Sequence, residues 1–195
     1  AKVEIWFEYA STYTYLSVSR ISAVAASAGV DVAWRPFLLL PVMQSFGMDQ
    51  GPFLPFEAKQ KYMWRDLERR AQVHGLPYSR PSNYPPDSLV TARIGLIAAS
   101  EGWCREFTEK TFRLHWVEDR PIGTQDNLAT TLTSLGHEPK EVFDRAQSVE
   151  NKAALRSQTE AAQALGMFGS PSLRANDELF WGDDRLEEAV AWAKK

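Results

Sequence analysis

Apolar and polar residues alternate from Val3 to Tyr9 (VEIWFEY), and the β-branched and aromatic content of that run predicts a strand that opens the fold. The period then changes. Tyr15, Leu16, Ser19, Ile21 and Val24 fall near helical spacing after Ser11 and Thr12, whose hydroxyls suit an N-cap, and Gly29 follows where a helix normally stops. Asp31 to Pro36 (DVAWRP) reads as a second strand. Strand, helix and strand in such close succession make a βαβ unit, whose strands run parallel with a right-handed crossover.

Beyond Pro36 the pattern predicts a block of helices without internal repeats. They are Phe56 to His74, Ser88 to Glu101, Trp103 to Glu118 and Asp126 to Leu135, stopped in turn by Gly75, Gly102, Pro121 and Gly136. Leu76 to Asp87 holds four prolines and reads as an irregular connection. A further helix from Val149 to Leu165 ends at Gly166. The strand signal returns at Ser172 to Arg174 and Glu178 to Phe180, around the turn-forming Asn176 and Asp177. Asp183 and Asp184 then cap a last amphipathic helix carrying Leu186, Val190 and Ala193. The order predicts an α/β fold: a thioredoxin-like core (βαβ … αββα) interrupted by an all-helical insertion. On this reading residues 1–36 and 137–195 form the core and residues 37–136 the insertion.

Composition narrows the function classes. With 195 residues, 44% hydrophobic and 12% aromatic, the chain can bury a sizeable core. A net charge of −3 from 22 basic and 25 acidic residues gives no basic excess, so neither nucleic acid nor an anionic membrane is an expected partner. A small-molecule or protein partner is the better expectation. The single cysteine, Cys104, excludes a disulfide within the chain and a multi-thiolate metal site, and it is expected to be a buried structural thiol. The start AKVEIWFEYAS lacks the pattern of a signal peptide, and no run reaches the ~18 apolar residues of a membrane span. The expectation is a soluble, cytoplasmic protein. His74, His115 and His137 lack metal-ligand spacing, so no metal is expected.

Chemistry points to the first strand-to-helix junction. Unsatisfied backbone N–H groups and the helix dipole favour negative charge there, and in thioredoxin-like redox proteins this junction holds Cys-x-x-Cys. Here it holds Ser11, Thr12, Tyr13 and Thr14. The site therefore cannot exchange disulfides, but it suits a thiolate supplied by another molecule. Taken alone, Ser11 also reads as a plain N-cap serine, worth ~1 kcal/mol of helix stability. Pro171, after Gly169 and Ser170 and before a strand, stands where thioredoxin-like proteins keep a cis-proline; that geometry turns the preceding residue's backbone toward a bound peptide.

Several stretches, in order, carry a family likeness: FEYASTYTYLS ending at Ser17, RPFLLLPVM from Arg35, KYMWRDLERRA from Lys61, NYPPDSLVTAR from Asn83, GMFGSPSL from Gly166 and ELFWGDDRLE from Glu178. The chain resembles, nearly end to end, the 2-hydroxychromene-2-carboxylate isomerases and the kappa-class glutathione transferases of the DsbA-like thioredoxin superfamily. The resemblance implies glutathione as cofactor, a small aromatic substrate and a homodimer. It implies that Ser11 hydrogen-bonds the glutathione sulfur, that Tyr13 lines the same pocket, and that the backbone of Ser170 before Pro171 pairs with the glutathione cysteine. It implies further that the turn at Asp183 and Asp184 grips the γ-glutamyl end, Asp184 matching the family pattern and Asp183 departing from it. Lys59, by its spacing from Tyr62, matches the family's glutathione-binding lysine. The family's asparagine before that helix has no counterpart in GMDQGP from Gly47. Of the aromatic residues Trp34, Phe53, Trp64 and Tyr84, a type that at helical spacing is more often core, only Tyr84, in the proline-rich loop, is the substrate candidate. The leading reading is a glutathione-dependent isomerase. A kappa-like transferase or peroxidase, and a non-catalytic thioredoxin-like binding module, stand as alternatives.

Overall fold

The computed structural model describes residues 1–195. Strand β1 (Lys2–Phe7) is the axis of a four-stranded mixed sheet of order β2-β1-β3-β4. It pairs in parallel with β2 (Asp31–Pro36), Phe7 opposite Pro36, and antiparallel with β3 (Ser172–Ala175), Trp6 opposite Ser172. A hairpin joins β3 to β4 (Glu178–Trp181). Alternation decides which way β1 faces: Val3, Ile5 and Phe7 enter the main core with no exposed surface, while Trp6 on the other face meets Phe37, Val42, Ala162 and Met167. Both faces are covered, as a sheet with a parallel crossover requires.

β1 ends two residues before the expected Tyr9. Glu8 and Tyr9 leave the ladder, and Tyr9 turns into the core to stack on Phe112 at 5.7 Å and to share a 2.8 Å hydrogen bond with Thr108. The helix expected from Ser11 to Ala28 is two helices, α1 (Thr14–Val18) and α2 (Ile21–Ala28). The break lies at Ser19 and Arg20. The Ser19 hydroxyl donates to Tyr15 O at 2.7 Å, and Arg20 gives its side-chain Nε, at 3.3 Å, to the Leu16 carbonyl. Neither Ser11 nor Thr12 caps α1; the residue before it is Tyr13, and no side chain caps that end. A polar group competing for the backbone, rather than a weak helix former, sets this boundary.

The helical block contains α3 (Leu39–Gln44), α4 (Glu57–Val73), α5 (Leu89–Glu101), α6 (Cys104–Trp116), α7 (Gln125–Ser134), α8 (Pro139–Ala146) and α9 (Val149–Ala164). The pattern does not predict α3 and α8. α8 carries its own start signal, Glu138 accepting from the Lys140 N–H with Pro139 in the first turn, but only Val142 and Ala146 of it are fully buried, with Phe143 packed beside them. Asn176 and Asp177 both have positive φ, 48° and 66°, so the hairpin loop is two residues with Ala175 and Glu178 still paired. Asp183–Arg185 form one 3-10 turn before α10 (Leu186–Trp192), which packs on α2 and β3. Asp183 and Asp184 thus lie in that turn rather than capping α10. No helix is long and apolar enough to cross a membrane.

Candidate functional site

Where β1 ends, one large cleft of about 990 Å³ opens between α3 and its following loop, α4, the proline-rich connection and the turns that flank β3 and β4. All eight residues singled out from the sequence line it: Ser11, Tyr13, Lys59, Tyr84, Ser170, Pro171, Asp183 and Asp184. They come from segments more than 150 residues apart in the chain, brought together by the β1–β3 pairing.

Ser11 and Ser170 form its floor. The Ser170–Pro171 bond is cis, as is Tyr84–Pro85. Ser170's hydroxyl is fixed from two sides, accepting the Glu8 N–H at 2.9 Å and sharing a 2.8 Å hydrogen bond with Thr14. The Ser11 hydroxyl donates to the Ser170 carbonyl at 3.0 Å. The N–H groups of Thr12 and Tyr13 make no backbone hydrogen bond, and they stand at the junction as free donors.

The wall formed by α4 is polar. Tyr13 donates to Asp66 at 2.9 Å, and burial followed by that carboxylate holds its phenol well above the usual range. Among the basic residues of this helix, Lys61 pairs with Glu57, Arg65 with Glu68 and Arg69 with Asp66. Lys59 has no carboxylate partner, lines the cleft, and lies 5.3 Å from the centre of the Phe53 ring. Arg70, which the sequence reading passed over, also lines the cleft, and its guanidinium grips Asp183 Oδ2 at 2.7 and 3.1 Å.

The two aspartates differ in kind. Asp183 is buried, and its other oxygen accepts from Arg20 at 2.8 Å and Ser17 at 3.0 Å, so both of its oxygens are taken. Asp184 is exposed, lines the cleft and makes no ion pair. Gly182 before them has φ 108°, and a methyl there would meet Asp184 Oδ1 at 2.6 Å. The turn therefore needs glycine at this position.

Apolar surface fills the rest. Leu39, Leu40 and Met43 of α3, with Phe46, Met48 and Leu54 after it, face the cleft. Tyr84 stands edge-on to Trp64 at 4.9 Å, and burial pushes its phenol up to about 12. Trp34 instead packs on Phe7 at 5.9 Å within the core. Phe168 and Trp181, 5.0 Å apart and half exposed, line the cleft beside Ser170. Sequence reasoning missed α3 and this pair, although FLLLP and the Trp before Gly182 signalled apolar side chains beside turns. It also missed Glu8, a carboxyl at the end of an apolar strand. Cys104 is buried, its thiol pushed up to about 12 by burial, and it lies outside the cleft.

Comparison with known proteins identifies the fold and the family. The family model of the DSBA-like thioredoxin domain matches residues 2–191. A 2-hydroxychromene-2-carboxylate isomerase of Pseudomonas putida is 28% identical over 187 residues, covering 94% of this chain and 90% of its own. A glutathione S-transferase kappa 2 of Caenorhabditis elegans is 27% identical over 204 residues, covering 96% of this chain and 89% of its own. A solved 2-hydroxychromene-2-carboxylate isomerase structure superposes with a TM-score of 0.88 at 26% identity, over 98% of this chain and 93% of that one.

Proposed function

The chain belongs to the DsbA-like thioredoxin domain family, and from that premise we propose that it is a glutathione-dependent isomerase of 2-hydroxychromene-2-carboxylate-type substrates. One observation carries the reading: a single cleft joins an uncommitted cation, Lys59, and an uncommitted carboxylate, Asp184, to the Ser11 hydroxyl, with apolar surface alongside. Those groups suit the charged ends and the sulfur of glutathione. Asp184 takes the γ-glutamyl ammonium, Lys59 a carboxylate, and the Ser170 backbone the cysteine amide. Asp183, already held by Arg20, Arg70 and Ser17, fixes the turn rather than binding ammonium. Gln50, in the cleft-lining loop after α3, offers an amide to the same ligand.

The Ser11 hydroxyl has one proton. In the free protein the Ser170 carbonyl accepts it. When a glutathione sulfur arrives, the hydroxyl rotates toward it and leaves that carbonyl for the cysteine N–H. The Thr12 and Tyr13 N–H groups add positive potential; α1, at five residues, contributes only through this first turn. About 3 kcal/mol in total brings a thiol from near 9 to near 7. When bound, glutathione would supply a nucleophilic sulfur able to add reversibly to an electron-poor double bond conjugated to a carbonyl and so free that bond to rotate, while the Ser11 hydroxyl and the Thr12 and Tyr13 N–H groups would hold its charge. A reducing, cytoplasmic setting accords with such a cofactor.

Titration calorimetry with reduced glutathione is the first test, with a micromolar to millimolar constant expected, about −8 to −4 kcal/mol. Changing Lys59 or Asp184 to alanine should weaken it several-fold. Absence of binding at several millimolar leaves a binding module instead. Conversion of a hydroxychromene carboxylate with no loss of glutathione supports isomerisation, whereas net consumption with an electrophile supports the transferase chemistry of the kappa relative.

A further inference from the structure

Glu8 is a buried carboxyl that the proposed thiolate chemistry leaves unused. It sits three residues before Ser11, just past the end of β1, and both it and Ser88 line the cleft. Its Oε1 accepts the Ser88 hydroxyl at 2.6 Å and the Ala10 N–H at 3.2 Å; its Oε2 accepts the Leu39 N–H at 3.0 Å. Three of the elements that build the cleft therefore meet on this one side chain: the β1 end, the start of α3 and the start of α5.

The chemistry of those partners is asymmetric. Two are backbone N–H groups, which can only donate, so a proton on Glu8 has no acceptor among them. The Ser88 hydroxyl is the partner that can reverse. When Glu8 carries a proton it donates to Ser88 Oγ, and the Ser88 hydrogen is released to point into the cleft. We propose that Glu8 and Ser88 form a proton relay into the cleft, with Ser88 touching the substrate and Glu8 acting through it.

The role rests on the isomerase reading. Adding a thiolate to a conjugated double bond forms the C–S bond and moves the π pair onto the carbonyl as an enolate. Glu8 gives its proton to Ser88 as Ser88 gives its own to the enolate. After rotation the proton returns by the same route, the C–S bond breaks and the thiolate departs. No external acid or oxidant is consumed. Burial raises the Glu8 carboxyl above the usual carboxylate range, and the Ser88 hydrogen bond opposes that rise. The groups facing the carboxyl are Ser88 from α5, the N–H of Leu39 from α3 and those of Tyr9 and Ala10. Tyr9 is the titratable neighbour, itself raised by burial first. Asp49, Lys59, Asp66, Arg70, Asp183 and Asp184 are the charged groups elsewhere on the cleft wall.

Two measurements test the relay, one of which needs no activity. Carbon-13 NMR titration of the Glu8 carboxyl in the free protein should give a pKa above that of an ordinary glutamate, moved further up in Ser88→Ala. A Glu8 that titrates as an exposed glutamate, or is unmoved by Ser88→Ala, overturns the proposal even if no isomerisation is found. In turnover at saturating glutathione, Ser88→Ala should lower kcat at least tenfold with KM within threefold, and Ser88→Thr should restore most of it. Wild-type kcat should fall as pH rises through the Glu8 pKa, and Glu8→Gln should lose that limb. A Ser88→Ala enzyme with full kcat and an unchanged pH profile also overturns it. Calorimetry of glutathione on the same variants keeps loss of cofactor binding distinct from loss of the relay.

Discussion

At the residue scale the Ser11 proton is the smallest moving part. Replacing Ser11 by alanine removes one hydrogen bond to Ser170 O, worth ~1 kcal/mol, which for a chain of this size is roughly 2–4 °C in Tm. The chemical effect should be larger: thiolate absorbance of bound glutathione should titrate at least about one unit higher in Ser11→Ala than in wild type, since the sulfur loses its hydroxyl donor. His115 supplies a test remote from the cleft. It is buried with neither ring nitrogen hydrogen-bonded, and burial pulls it down to about 4. The unfolded chain then binds the proton more readily than the folded one between about 6.5 and about 4. Stability should fall as pH drops through that window, by an amount on the order of 3 kcal/mol at its foot, less whatever solvent reaches the ring. Urea midpoints for wild type and His115→Gln should converge as the pH is lowered toward 4.

At the element scale, α5 is held against the start of the chain by a close approach. Gly95 faces the ring of Tyr9, and a methyl there would stand 2.7 Å from Tyr9 Cε2 and nearer still to its hydroxyl. Gly95→Ala should therefore destabilise by about 1–3 kcal/mol despite alanine's better helix propensity, because overpacking outweighs the ~1 kcal/mol propensity gain. A denaturation midpoint at or above wild type would show that Tyr9 can move aside. The same crowding explains why Tyr9 belongs to the core and not to β1. Where helices are long and carry a full apolar stripe, as α4, α5, α6 and α9 do, their extents lie within one or two residues of the pattern's prediction. The short ones, α3 and α8, have too few turns to display a period.

At the scale of the molecule, Asp183 ties three distant segments together. Its carboxylate receives Arg20 from the α1–α2 break, Arg70 from α4 and Ser17 from α1, so the turn at one end of the cleft and the helix along its wall share a single anchor. Removing one member of a buried ion network leaves the rest uncompensated. Asp183→Asn should destabilise by about 3–5 kcal/mol, and glutathione should bind more weakly because Arg70 and the turn lose their common reference. Retained affinity with reduced stability would confine Asp183 to the fold.

Local order was legible from the chain alone. The βαβ opening, the hairpin before a last helix and the Ser11 junction each rest on spacing and end signals within a few residues, and the family likeness rests on short motifs in fixed order. Such signals act over the range of one turn or one pleat, so neighbouring residues suffice to write them. The helix break at Arg20 and the commitment of Asp183 to Arg20, Arg70 and Ser17 required the folded chain. So did the isolation of Lys59 among paired basic residues and the meeting of Glu8 with Ser88 and Leu39. Each depends on partners that the β1–β3 pairing and the packing of α3, α4 and α5 bring near, the farthest of them, Ser17 and Asp183, 166 positions apart. What a side chain is able to do is written in its own residue type. Whether its charge or proton is already spent depends on groups that the chain reaches only by folding.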